Sequence, residues 1–320
     1  MQINRKGWLI MTQTDEKVLS EYQVRKTKKQ RGAFIDYVSR YADSLGYKIG
    51  TEKGSFGANN IIVGDPETAK VVYTAHYDTC ARLPFPNFIT PKNIGIYLLY
   101  QLAITVVFMF LPMFIIGFVC GYTFDDIELG AMVTVLLSYA WLIAFMYILI
   151  AGPANKNTAN DNTSGVAVLL NIMAQVKNED REKVAFIFFD LEEAGLLGSS
   201  AFAKKHKAAM KNKLLINFDC VSDGDNILFV LKKGAKEYEE LLKNAYPCED
   251  GFNVEVLSKG VFYPSDQAQF PCGVGVAALK KSKKRNILYM DKIHTKNDVV
   301  FDEKNIEYLT AKSVGLVERL

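Results

Sequence analysis

Apolar positions follow three different patterns along the chain. In residues 14–47, Phe34, Val38, Tyr41 and Leu45 recur three or four apart, which predicts a helix. Residues 59–64 and 70–75 are short and rich in β-branched side chains, and predict two strands around a turn at Asp65-Pro66. From residue 94 to 120 and from 129 to 151 the chain is apolar all round. Each run exceeds the roughly 20 residues that cross a bilayer core of about 30 Å. Beyond residue 152 short apolar runs alternate with amphipathic ones. Strands are predicted at 184–189, 214–219 and 227–231, a strand-like run stands at 287–290 and a further apolar run at 273–279, and helices are predicted at 166–176, 201–206, 235–246 and from Asp302 onward. Thr163 or Ser164 is the expected cap of the first of these helices. The run at 184–189 is uninterrupted, as expected of a strand buried on both faces. This alternation belongs to the α/β class.

The two long runs form a hairpin whose charges orient it. Residues 93–155 contain no Lys or Arg, the connection at 121–128 carries acids only, and Arg82, Lys92 and Lys156 flank the outside. Positive charge stays cytoplasmic, so the turn is expected outside, both ends inside, and the chain in the cell membrane with two spans. Tyr97, Tyr100, Tyr122, Tyr139, Trp141 and Tyr147 include candidate interfacial anchors, and Pro112 is a candidate kink. The competing reading is a hairpin buried in a soluble core. The expected organisation is residues 1–92 and 152–320 as two parts of one catalytic domain, with 93–151 inserted. The apolar run within residues 1–11 is too short for a signal peptide.

Composition narrows the classes further. Hydrophobic residues make up 49% and the net charge is +3, which gives no strong field for nucleic acid. Five cysteines without regular spacing, and no Cys-x-x-Cys pair, argue for a reducing compartment and against a thiolate zinc site. The basic cluster from Arg25 to Arg31 reads as a solvated helix face or a contact with anionic lipid, and that from Lys280 to Arg285 as a solvated loop.

Acids gather where the strands end. Asp190, Glu192 and Glu193 follow the buried strand, at the edge where open α/β sheets place ligands. Adjacent Glu192 and Glu193 repel each other unless a cation or proton intervenes; a solvated acidic loop is the plainer alternative. His76-Tyr77-Asp78 follows another strand, and its period-two spacing points His76 and Asp78 to one side. A carboxylate so placed can take the second N–H of a metal-bound imidazole, although a packed, hydrogen-bonded histidine fits the same residues. Asp219 ends a third strand, and Asp161, by itself a turn residue, precedes a helix. Of three histidines, His206 reads as a wet helix surface, while His76 and His294 follow strand-like runs. Two histidines and three carboxylates suffice for two zinc ions, each with one His, one terminal carboxylate and a share of a bridging one. Calcium or magnesium would make less use of imidazole.

At this point the chain resembles the co-catalytic two-zinc exopeptidases typified by bacterial leucyl aminopeptidase and aminopeptidase Y, whose fold transferrin receptor and glutaminyl cyclase share. The matching pieces occur in family order: Ala75-His76-Tyr77-Asp78, then Ala159-Asn160-Asp161-Asn162-Thr163-Ser164-Gly165. Glu192-Glu193-x-Gly195-Leu196-Leu197-Gly198-Ser199, Asn217-Phe218-Asp219 and His294-Thr295-x-x-Asp298 follow. The resemblance implies a three-layer sandwich around a mixed, mostly parallel sheet, with the hairpin inserted. It implies His76 and Asp219 on one zinc, Glu193 and His294 on the other, and Asp161 bridging. It makes Glu192 the general base, has Asp78 orient His76, and implies a strained Asp161–Asn162 peptide bond with cis as one option. The hairpin interrupts the usual loop between the first His and the bridging Asp. Gln267 stands where relatives often carry His.

The expected activity is that of a membrane-anchored zinc aminopeptidase acting on peptides at or emerging from the bilayer, because about ten residues link the second run to Asp161, a reach of roughly 35 Å. Glutaminyl cyclisation, dipeptidase or carboxypeptidase action, or an inactive membrane or receptor module, are the alternatives. Keeping both His76 and Asp219 favours two metals over a one-metal cyclase, and the full ligand set speaks against an inactive module.

Overall fold

The short apolar runs pair into one sheet. The structure, a computed structural model, describes residues 12–249 and 251–320; the apolar run at residues 1–11 lies outside them. The strands are β1 (Ile49–Lys53), β2 (Asn59–Val63), β3 (Val71–His76), β4 (Val184–Phe189), β5 (Leu214–Phe218), β6 (Asn226–Leu231), β7 (Asn253–Leu257), β8 (Gly273–Lys281) and β9 (Leu288–Tyr289). Their order is β1-β2-β4-β3-β5-β8-β6-β7, with β9 on β8. The four inner strands β4, β3, β5 and β8 are mutually parallel. On either side of them, β2 on β4 and β6 on β8 run antiparallel.

Alternate side chains feed two cores, as the pleat requires. Tyr73, Phe186, Phe188 and Ile216 point to one face. That face is covered by helices α1 (Gln13–Glu21) and α2 (Lys28–Ser44), and, beyond the hairpin, by the helices at Gly165–Gln175 and Glu303–Arg319. Val72, Ile187, Phe189 and Leu215 point to the other, under the helix at Leu197–Lys205. All six residues of β4 are buried. The architecture is the three-layer α/β sandwich expected.

The predicted helix over 14–47 is two helices. The chain leaves the helical path between Glu21 and Lys28, and Arg25 in that break is wholly buried. It is therefore no part of a solvated face. Its guanidinium donates to the carbonyls of Tyr22 and Tyr77 and to Thr163 Oγ1. Its neighbour Arg31 pairs with Asp190 at 3.0 Å. His206 is also not a wet surface residue: its Nε2 lies 2.9 Å from Glu52 and its ring stacks on Phe202. Strand β1 carries a half-polar Ile-Gly-Thr-Glu-Lys sequence and was not foreseen.

The apolar runs form helices α3 (Ile94–Thr105), α4 (Leu111–Thr123) and α5 (Ile127–Ala151), with a π-helical turn at Val106–Phe110 joining the first two. Ile94–Thr123 and Ile127–Ala151 are long and apolar enough to cross a membrane, and their most apolar windows are not buried in the protein. A hairpin packed into a soluble core is thereby set aside. Pro112 has no N–H for the carbonyl of Phe108 four residues back. Trp141 Nε1 on α5 donates to that carbonyl instead, at 3.0 Å. Asp126 caps α5 by accepting from the N–H groups of Glu128 and Leu129. The helix ends return to the sheet domain, where Lys26 Nζ donates to the Ile150 carbonyl at 2.6 Å.

The remaining helices are α6 (Gly165–Gln175), α7 (Leu197–Lys205), α8 (Glu239–Ala245) and α9 (Glu303–Arg319). Neither Thr163 nor Ser164 caps α6 with its side chain. Asn162 does, its Oδ1 accepting from Gly165 N–H at 3.1 Å. Only glycine fits at 165, since a Cβ there would collide with the Phe218 carbonyl and the Asn162 amide.

Candidate metal centre

Parallel strands deliver their carboxyl ends to one edge, and the site stands there. β3 ends in His76, β4 runs into Asp190 to Glu193, and β5 is followed by Asp219. His76 Nε2 lies 3.3 Å from Asp161 Oδ1 and 3.4 Å from Asp219 Oδ1. His294 Nε2 lies 3.2 Å from Asp161 Oδ2 and 3.2 Å from Glu193 Oε2. The two oxygens of Asp161 thus face different imidazoles. The structure brings together His76, Asp161, Glu193, Asp219 and His294, with Glu192 beside His76 and Glu193.

Neighbouring groups fix the geometry. The Asp161–Asn162 peptide bond is cis. Asp298 accepts the N–H groups of Asn160 and Asp161 at 2.9 and 3.0 Å. The Asn162 amide donates to the carbonyl of Phe218, and its oxygen accepts from Cys220 N–H, which ties the segment to the end of β5. Asp78 accepts the N–H groups of Glu192 and Glu193, at 2.9 and 3.2 Å. His76 Nδ1 is closer to the Asp78 carbonyl, at 3.1 Å, than to its carboxylate, at 3.7 Å. Asp78 therefore positions the two glutamates through its side chain and meets His76 chiefly through its backbone.

The electrostatics are those of a site built for cations. Burial, with Glu193, Asp266 and Asp219 adding to it, pushes Glu192 well above the usual carboxylate range. Burial and Asp161 do the same to Glu193, whose Oε1 is buried without a hydrogen-bond partner. Burial also works to raise Asp161, but His294 and His76 outweigh it and hold that carboxylate low. Burial works to lower His76, yet Glu192, Asp161 and Asp219 drive it well up. Carboxylates this close repel unless protons or cations come between them. A set of two imidazoles and oxygen donors, with an orphaned carboxylate oxygen among them, fits zinc.

Several members of the site went unrecognised in the sequence. Asp266 is fully buried with both carboxylate oxygens unpartnered, and burial pushes it to about 7. Arg25 supplies a buried positive charge behind Asp78 and Asp161, its own value brought down by burial to about 10. Cys80 stands in one group with Asp161, Glu193 and His294, all offering ligand atoms within 4.8 Å of one another. Gln267, which stands where relatives often carry His, pointed to the right loop but is the neighbour of Asp266. Gln267 is buried and structural, its Oε1 accepting from Asn217 and its Nε2 donating to the Tyr263 carbonyl.

Comparison with known proteins agrees with this architecture. Among solved structures the chain is similar to the LapA aminopeptidase of Legionella pneumophila, with 12% identity, 96% of this chain and 69% of that one covered, and a TM-score of 0.55. It is similar to the glutaminyl cyclase of Porphyromonas gingivalis at 16% identity, 95% of each chain and TM-score 0.56. A Zn-dependent exopeptidase from Parabacteroides distasonis gives 15% identity, 97% and 99% coverage, and TM-score 0.55. At such identities the likeness is one of fold. No curated protein sequence matches significantly. Residues 146–317, more than half of the chain, match the model of Peptidase family M28. With that match laid over the zinc-exopeptidase sheet and its acid-lined edge, the chain belongs to peptidase family M28.

Proposed function

We propose that this protein is a membrane-anchored aminopeptidase whose site binds two zinc ions. The observation that carries the reading is the convergence of His76 and Asp219 on one side of Asp161, and of Glu193 and His294 on the other. His76 and Asp219 would hold one ion, Glu193 and His294 the second, with Asp161 shared. Zinc in that setting supplies Lewis acidity, polarising a peptide carbonyl and making water more acidic.

The residues of the chain do the rest. Glu192 is the general base: its carboxylate takes a proton from the attacking water and hands it to the leaving amine. Asp78 holds the backbone of Glu192 and Glu193, so the base and its neighbour keep different tasks although adjacent in sequence. Asp298 fixes the backbone at Asp161. Residues 1–92 and 152–320 together form the catalytic domain, on the cytoplasmic side of the cell membrane. Residues 93–151 anchor it with two spans, and peptides at or leaving the bilayer are its substrates.

Glu192→Gln tests the assignment. It should lower turnover by about 10²–10⁴-fold while the zinc content stays that of the parent. A fully active variant removes Glu192 from its role. The likeness to a glutaminyl cyclase keeps one competing reaction in view. One zinc per chain by metal analysis, with cyclisation of N-terminal glutamine in place of peptide hydrolysis, would establish that reaction instead.

A further inference from the structure

A cavity of about 300 Å³ lies between the metal-binding cluster and the base of the hairpin. Glu193 and His294 form its inner wall, so it opens directly onto the proposed reaction centre. The opposite wall belongs to the hairpin: Gln101, Ile104 and Met109 from the first span, Phe145 and Leu149 from the second. Residues 101, 104, 105 and 108 share one helical face. They are half-buried, whereas Leu98, Leu99, Leu102 and Val106 on the other side of the same helix are exposed. The face that looks at the cavity is therefore distinct from the face that would meet lipid.

Position along the helix matters as much. The first span is 30 residues long, about 45 Å at 1.5 Å per residue. That exceeds a bilayer core of about 30 Å by roughly three turns. With the turn after Thr123 at the far boundary, about 20 residues fill the core and reach back to Ile104, which leaves Tyr100 and Gln101 in the surplus at the catalytic end. The cavity so lies level with the membrane boundary, between a wet site and an apolar helix pair. Its wall carries the Gln101 and Asn87 amides, neither of which makes a side-chain hydrogen bond to another described residue, while the Tyr100 hydroxyl donates to the Pro86 carbonyl. The nearby Thr105 hydroxyl is already engaged by the Gln101 carbonyl at 2.8 Å.

We propose that this cavity receives the side chain of the terminal residue that the enzyme removes. The hairpin is then a specificity element as well as an anchor. The substrate class is peptides whose cleaved end is large, apolar and partitioned into the bilayer boundary. The Gln101 amide is a positioning group for the substrate backbone. The inference rests on the aminopeptidase reading, and its test separates the two.

Zinc-loaded protein in nanodiscs is titrated with the hydroxamates of glycine, alanine, leucine and phenylalanine, and binding is followed by calorimetry. Leucine and phenylalanine hydroxamates should bind at least about tenfold tighter than the glycine compound, the discrimination an apolar pocket gives. Thr105→Phe, which fills the cavity, should bring the leucine-to-glycine ratio toward one. Leu149→Ala, which enlarges it, should shift preference toward phenylalanine. Flat affinity across the series, or a preference that neither variant moves, overturns the pocket. Failure of every hydroxamate to bind overturns it as well. A preserved apolar preference without release of any N-terminal residue from peptides sustains the pocket and overturns the aminopeptidase reading.

Discussion

Asp15 lies in α1 with only 4% of its surface exposed, and its carboxylate accepts two hydrogen bonds from the Asn171 amide on α6. The Asn171 amide carries no charge to offset the carboxylate's. Burial therefore dominates, and lifts the group from its ordinary 3.8 to about 6 despite the bonds from Thr12 and Asn171. The folded chain thus binds this proton more tightly than the unfolded one. The resulting stability is complete below 3.8 and is lost as pH rises through about 6, which amounts to about 3 kcal/mol at 1.4 kcal/mol per unit. Asp15→Asn keeps an acceptor for Asn171 and removes the ionisation. At pH 7 it should unfold at a higher temperature than the parent, and at pH 4 the two should coincide. Equal melting temperatures at both values would mean that water reaches the carboxylate. Arg25 shows the opposite resolution of a buried charge. It keeps its proton because carbonyls and Thr163 surround it and Asp78 and Asp161 lie near.

At the level of elements, what could be read in advance was whatever is local. The β4 run announces itself because every residue is apolar, and both long helices because no charged residue interrupts them for more than twenty residues. The acids at strand ends could be located because each strand is short and its end sharp. Contacts assembled from distant segments left no such mark. Arg25 is held by residues near 22, 77 and 163, and β1 forms only because β2 offers it an edge. The π-helical turn is a mixed case. Pro112 announced a fault in the first span, but its repair by Trp141, 29 positions on, needed the fold. In an apolar setting the Phe108 carbonyl has no water to fall back on. Trp141→Phe keeps the ring and removes the donor. It should destabilise the hairpin by about 0.6–2 kcal/mol, the range for interhelical hydrogen bonds in membranes, measured as a lower unfolding midpoint in detergent. Because Phe145 and Met109 line the cavity within a turn of this bond, the variant should also loosen the apolar preference there.

For the whole molecule, the arrangement of hairpin and sheet turns a charge argument into a topological one. Both ends of the hairpin return to the sheet domain: Ala81 bridges Ala154, and Lys26 holds the end of α5. If the helices span, the turn between them and the active site must lie on opposite sides of the bilayer. The turn carries Asp125, Asp126 and Glu128 and no base, while Arg82, Lys92 and Lys156 border the other end. Moving bases out and acids in would oppose the membrane potential and the rule that basic flanks stay inside. The parent chain provides its own reporter, since Cys248 is exposed on the catalytic domain and the other four cysteines are buried. In intact cells a membrane-impermeant maleimide should label Asp125→Cys and leave the parent unlabelled. After permeabilisation the parent should label too, at Cys248. Labelling of the parent in intact cells would put the active site outside and reverse the orientation. The hydrolysis proposed above would then take place on the outer surface, by the same residues and the same chemistry.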